Sequence, residues 1–264
     1  MTKLLLPLLL IYSYAIKAKE NLTFLDQKGQ IIKELSFEEL KSEYKVHKVS
    51  TFDYVKQEVE IYHAFDLEKI LDRVYGRTTW KNSYALGTVS TDNYAPIIKN
   101  YIFSIMKPYL AFERADGKKF VSKKNFSKSD ISLAPYYIIW KTPKAIGNIK
   151  KVRDHWPWKI KSIFLYEKEP KELIPSKSAL NAGKETFTNH CIACHAINGV
   201  GGTKAKDLNK VFNREGMTDK YLEDYILSPR DVDPKSKMPR FPVYLDKKEE
   251  RIKKLIQYIK DRVN

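Results

Sequence analysis

Cysteine is nearly absent from this 264-residue chain: there are two, Cys191 and Cys194, three positions apart. So few thiols exclude a disulfide-stapled scaffold and a four-cysteine metal site. Glycine and proline are sparse as well, at ten and twelve residues, which excludes a collagen-like or low-complexity chain. No uncharged run approaches the roughly twenty apolar residues that cross a bilayer. Acidic residues are outnumbered by basic ones, 32 against 48, leaving a formal charge of +16. That sign suggests acidic partners, anionic membranes or nucleic acid. The excess is spread along the chain without a basic stripe, however, so it reads as a lysine-rich solvated surface and not as a nucleic-acid interface. What is present in quantity is apolar (43%) and aromatic (12%). This supports real cores and excludes a wholly disordered chain. The length suits one large domain or two ordinary ones.

The first residues have the pattern of an export signal. Lys3 precedes the uncharged run Leu4 to Tyr14, and small residues follow at Ser13-Tyr14-Ala15 and Ala18. A short uncleaved anchor is the alternative. No cysteine follows the run, so a lipoprotein anchor is excluded. Residues 1–18 are read as a signal peptide, and the mature chain as soluble and periplasmic with no stable membrane span. A second boundary falls at Glu167-Lys-Glu-Pro-Lys-Glu-Leu-Ile-Pro175, where two prolines and alternating charges follow a strand-like run. The chain divides into a domain at 21–170, a linker at 171–177 and a second domain at 178–264.

Cys191-Ile-Ala-Cys194-His195 is the one sharp motif. C-x-x-C-H is the pattern of covalent c-type haem attachment. Two thiols three residues apart at a helix end reach the two vinyl groups of one haem edge, and the next residue offers its imidazole to the iron. Upstream, Ser178 to Asn189 has helical spacing, with Leu180, Gly183 and Phe187 on one face. Downstream, Asn198-Gly-Val-Gly-Gly202 is a glycine-rich loop that lets backbone pass close to a flat ligand. Met217 to Leu227 follows with helical spacing, then Ser228-Pro229 as a stop. The extended Pro234-Lys-Ser-Lys-Met238-Pro239 comes next. Lys247 to Val263 closes the chain, with Ile252, Leu255, Ile256 and Ile259 on one face. A thioredoxin-type dithiol would need a βαβ pattern that is missing here, and zinc would need a fuller ligand set than two cysteines with His190 or His195.

Residues 176–264 resemble the monohaem cytochrome c family in the order of these features. The resemblance implies one haem c, with thioethers at Cys191 and Cys194, His195 as proximal ligand and Met238 as distal ligand. It also implies a haem wall at Leu208 and Phe241, with the Tyr221–Tyr225 helix packed over it. Met217 is the other sulfur candidate for the iron, and Met238 as a plain core residue is the bland alternative. The family commonly places a proline before the Asp-Leu of the loop, whose carbonyl accepts the proximal imidazole N–H. Lys206-Asp207-Leu208 stands there instead.

Residues 21–170 alternate strand-like and helical stretches, an α+β class with a mixed or mostly antiparallel sheet ahead of an all-α haem domain. The expected elements are a hairpin around Asp26–Gly29, a capped helix from Ser36, strands at Lys45–Ser50 and Val55–Tyr62, and a helix at Asp66–Val74. Further strands are expected at Ser83–Val89, Tyr109–Arg114, Tyr136–Trp140 and Lys161–Tyr166. His47, His63 and His155 read as structural or exposed. The order, with Phe37-Glu-Glu-Leu40, Phe65-Asp-Leu67, Asp92-Asn93-Tyr94 and Asp116-Gly117, resembles the molybdopterin-binding domain of sulfite-oxidase-like proteins. That family's molybdenum needs a cysteine thiolate, and both cysteines here belong to the haem motif. The resemblance therefore implies a cofactor-free relative with a docking role.

The function expected is an exported electron carrier, rather than an enzyme, that exchanges electrons with an acidic redox protein. The alternative is the haem subunit or domain of a periplasmic oxidoreductase acting on a small oxyanion.

Overall fold

Alternation begins the fold. In β1 (Leu22–Leu25), Leu22 and Phe24 are buried while Thr23 and Leu25 face outward. Asp26 then turns the chain, its Oδ1 accepting the Lys28 and Gln30 amides at 2.8 Å each, and Gly29 takes φ +78°. The chain returns antiparallel as β2 (Ile31–Leu35). Ser36 caps α1 (Phe37–Glu43): the Glu39 amide donates to Ser36 Oγ at 3.2 Å, and the Ser36 amide donates to Glu39 Oε2 at 2.7 Å. The structure is a computed structural model that describes residues 20–53, 58–123, 130–141, 156–212 and 214–263. The expected signal peptide lies outside the described residues, as does His155.

β3 (Val46–Asp53) and β4 (Glu58–Asp66) form the next hairpin. They are followed by α2 (Leu67–Tyr75), α3 (Arg77–Asn82), β5 (Ala85–Ser90), β6 (Ile97–Lys99) and α4 (Tyr101–Ile105). Then come β7 (Lys107–Arg114), the paired β8 (Val121–Lys123) and β9 (Asp130–Ser132), β10 (Tyr137–Lys141) and β11 (Ile160–Tyr166). Two larger sheets result. One has the order β2-β1-β11-β5-β6 and is antiparallel except for the parallel pair β1–β11. The other, β10-β7-β4-β3, is wholly antiparallel. The mixed α+β reading of this half holds.

Period two divides the side chains of β7. Leu110 and Phe112 join a core shared by both sheets and by α1 to α4, whereas Tyr109 and Ala111 join a second cluster with Tyr62 and Ile139. The two sheets thus share one core. His47 lies edge-on to Tyr109 with ring centres 5.7 Å apart, and His63 Nδ1 bonds Glu113 at 2.8 Å. Both histidines serve this packing.

The C-terminal part is helical. A 3-10 turn at Ser178–Leu180 leads into α5 (Asn181–His190), so the expected helix is split at its first turn. A short ladder, β12 (Ala196–Ile197) with β13 (Val200–Gly201), precedes α6 (Asn209–Phe212). Thr218 then caps α7 (Asp219–Leu227) by accepting the Tyr221 amide at 3.2 Å. Pro229 stops α7 and also opens α8 (Pro229–Val232), where its missing N–H costs nothing. The closing helix α9 (Lys248–Val263) buries Ile252, Leu255, Ile256 and Ile259, the face that the periodicity marks.

The stretch 171–177 is fastened along α9. Leu173 is fully buried, and its carbonyl accepts the Tyr258 hydroxyl at 2.9 Å. The Glu172 carbonyl accepts from Arg262 Nε at 3.1 Å, and the Ser176 amide donates to Asp261 Oδ2 at 3.0 Å.

Helices α5 and α9 cross at Gly183. A Cβ there would overlap the Lys254 carbonyl oxygen and stand 2.7 Å from Tyr258 Cβ. Both are fixed, one in backbone and one at a side-chain root, so the helices must part. Gly183→Ala is expected to destabilise the chain by about 1–3 kcal/mol, the usual cost of overpacking. The denaturant midpoint measures it, and an unchanged midpoint would mean that the crossing yields freely.

Candidate haem-attachment site

The site grows from the end of α5. Phe187, fully buried near that end, gives its carbonyl to the Cys191 and Ile192 amides at 2.9 Å each. The next turn closes when the Cys194 and His195 amides both donate to the Cys191 carbonyl at 3.0 Å. The motif is thus one tight turn that follows the helix. The backbone bends around Cys191, so Cys191, Cys194 and His195 all belong to one short arc of chain.

The loop after the motif holds this turn from behind. Asn198 and Gly199 take φ +50° and +81°, a left-handed pair that joins β12 to β13 in a tight hairpin. Side chains pin it: Asn209 Nδ2 donates to Asn198 Oδ1 at 2.6 Å, and Asn198 Nδ2 donates to the Arg262 carbonyl at 2.7 Å. The glycines that follow serve a close approach of backbones. A Cβ at Gly201 would overlap the His195 carbonyl oxygen, and one at Gly202 would overlap that of Ala193. The sequence predicts close backbone approach here to a ligand. The structure brings these glycines against the attachment turn itself, because the turn leaves several carbonyls to be met. The Asn-Gly pair was the signal that could have found the hairpin.

His195 is half-buried, and its Nδ1 lies 2.8 Å from the Lys206 carbonyl oxygen. A carbonyl only accepts, so Nδ1 carries the proton and Nε2 is the nitrogen with a free lone pair. The missing proline is immaterial: the carbonyl of Lys206 does its work. Burial pulls the pKa of His195 down and keeps the ring neutral, the form that binds metals. Burial, helped by the nearby Cys194, pushes the Cys191 thiol up to about 12. An activated redox dithiol needs the opposite shift. The two thiols are not joined as a disulfide. Among the described residues, no three His, Cys, Asp or Glu side chains gather to hold a bare metal ion.

One apolar cluster surrounds this turn. Leu208, Leu222, Ile226 and Phe241 are buried in it, and half-buried Cys191 and Met238 pack against it. Met217 packs there too, just ahead of α7. The two methionines differ in how their backbones are fixed. The Met238 amide donates to Ser236 Oγ at 3.2 Å, and that oxygen lies 2.8 Å from the Tyr225 hydroxyl on α7. Tyr221 stacks on Tyr225 with ring centres 5.9 Å apart, on the more exposed side of the helix. His190 meets Phe241 edge-on at 6.3 Å.

Two half-buried thiols on one turn, a neutral imidazole with one nitrogen committed and an apolar wall fit a flat prosthetic group better than a bare ion. Residues 180–262 match the cytochrome c family. The match begins at the turn before α5 and ends within α9, spanning the helical part of the chain. A cytochrome c domain carries covalently bound haem c, a cofactor of electron transfer. Comparison with curated proteins finds no match for the chain. Among the described residues, no helix is long and apolar enough to cross a membrane.

Proposed function

We propose that this protein is an exported electron carrier with one haem c, held through thioethers at Cys191 and Cys194 and ligated by His195 and Met238. The observation that carries the reading is the bond from His195 Nδ1 to the Lys206 carbonyl, which fixes the imidazole and reserves Nε2 for a metal. Haem supplies a one-electron couple when bound. The protein's part is to fix the imidazole, to keep water away with Leu208, Phe241 and α7, and to hold Met238 in the same cluster, where its sulfur would serve as the second ligand. A methionine ligand favours a higher potential than a second nitrogen would. With both His195 and Met238 as ligands, the iron would offer no open position to a substrate, which favours a carrier over an enzyme. The leading segment, Lys3 through Ala18, supports a periplasmic location. The N-terminal domain is read as a cofactor-free relative of molybdopterin-binding domains in a docking role.

The route for electrons is proposed at the Met238 edge. Lys235 and Lys237 are exposed on either side of buried Ser236. Arg240 is partly neutralised by Asp231, 2.9 Å away, so the two lysines are the stronger attraction for an acidic partner. Steering of this kind acts on association rate and fades as salt screens it over roughly 8 Å. Electron transfer to an acidic redox protein is expected to slow steeply as salt rises. Lys235→Glu with Lys237→Glu is expected to slow it further at low salt by about tenfold or more, within the range steering supplies, with the potential little changed. Stopped-flow rates at two salt concentrations test this. Rates indifferent to both salt and mutation would make the lysines ordinary solvated surface.

A further inference from the structure

The carbonyls of Cys191, Ile192, Ala193 and Cys194 each take a donor, and one of those donors comes from outside the cytochrome c match. The Ile192 carbonyl takes the Gly202 amide at 2.7 Å and the Cys194 carbonyl takes the Ala205 amide at 2.9 Å. The Ala193 carbonyl, between the two cysteines, takes the amide of Ala95 at 2.8 Å. Ala95 ends the Asp92-Asn93-Tyr94-Ala95 turn that joins β5 to β6 in the N-terminal domain.

The neighbours of that bond reinforce it. Asn93 adopts φ +63°, a left-handed conformation asparagine tolerates, and its carbonyl accepts the Thr203 amide at 3.2 Å. Asp92 Oδ2 pairs with Lys204 Nζ at 2.7 Å. Lys204 also lies 5.6 Å from the centre of the Tyr94 ring, which stacks on Trp158. Below them, Ala85 and Ile97 of the sheet share one buried cluster with Phe187 and Ile192. At the meeting point stands Gly202, where a Cβ would overlap the Ala193 carbonyl and approach that of Asn93 to 3.1 Å.

We infer that the Asp92–Ala95 turn is a positioning clamp for the haem-attachment turn. The N-terminal domain fixes Cys191 to His195 from behind, so the potential of the haem depends on a contact outside the cytochrome c domain. This rests on the haem reading above. A loosened turn admits water to the buried face of the site, and water favours the more highly charged oxidised iron, which lowers the midpoint.

The test uses the full chain with haem attached. Asp92→Asn with Lys204→Gln removes the ion pair and leaves net charge unchanged, so any effect on the midpoint is not a simple Coulomb effect. A half-exposed pair contributes modestly, so exchange of the Ala95 amide is expected to rise about threefold while the midpoint falls. Gly202→Ala, a neutral wedge between the two turns, is expected to raise exchange by more than tenfold and lower the midpoint further. If Gly202→Ala does not fold, the double variant still decides. Faster exchange with an unmoved midpoint would make the contact structural only and overturn the clamp, as would unchanged exchange. Absence of covalent haem from the unmutated chain would instead overturn the haem reading, an outcome distinct from both.

Discussion

Replacing either cysteine, Cys191→Ala or Cys194→Ala, is expected to leave at most one thioether and sharply reduce the haem that survives acid–acetone extraction. The double variant is expected to retain none. The bonds that shape the turn are all backbone bonds, from Phe187, Cys191, Gly202, Ala205 and Ala95, and an alanine keeps each of them. Both side chains are also only half-buried, so the cavity left by losing sulfur is small. The loss of haem is therefore a loss of chemistry and not of fold. Circular dichroism of the single variants should show the helices in place while haem is released. Full covalent haem in both single variants would remove the basis of the attachment site.

Met238→Ala is expected to abolish the weak far-red methionine–iron charge-transfer band of the oxidised protein. It should also lower the midpoint on the order of 0.1 V, since axial ligands set haem potentials over a span of about 0.8 V. The control is Met217→Ala. Both sulfurs sit against the same cluster, so burial alone does not choose between them. The choice follows from the backbone: the segment expected to be extended instead turns at Pro234–Lys235 and bends at Met238, where Ser236 and Tyr225 hold it, whereas Met217 belongs to the turn that leads into α7. Met217→Ala should leave band and midpoint in place. The reverse pattern would assign the iron ligand to Met217.

Much of this was written in local pattern. The Asp26 turn, the Ser36 box and the inward stripe of α9 each depend on residues a few positions apart, and each appears where the spacing puts it. The attachment motif is legible for the same reason. Contacts between distant segments were not legible. Nothing in Lys206-Asp207-Leu208 announces that the Lys206 carbonyl meets His195, because any residue offers a carbonyl. Prolines and alternating charge marked 171–177 as a linker, since composition carries no trace of the bonds that α9 side chains make to its backbone. The Ala95–Ala193 bond was equally invisible. Gly202 was conspicuous, but sequence does not show that a Cβ there would meet Ala193, nor that Asn93, about a hundred residues earlier, closes on it from the other domain.

The most direct measurement is an anaerobic redox titration, followed by visible spectra, on full-length protein matured in a periplasm competent for haem attachment. The account predicts one covalent haem that titrates as a single one-electron step. Both oxidation states should be low-spin, and the far-red methionine band should be present only when the iron is oxidised. A chain without covalent haem would contradict it, as would a haem whose spectrum shows an open axial position.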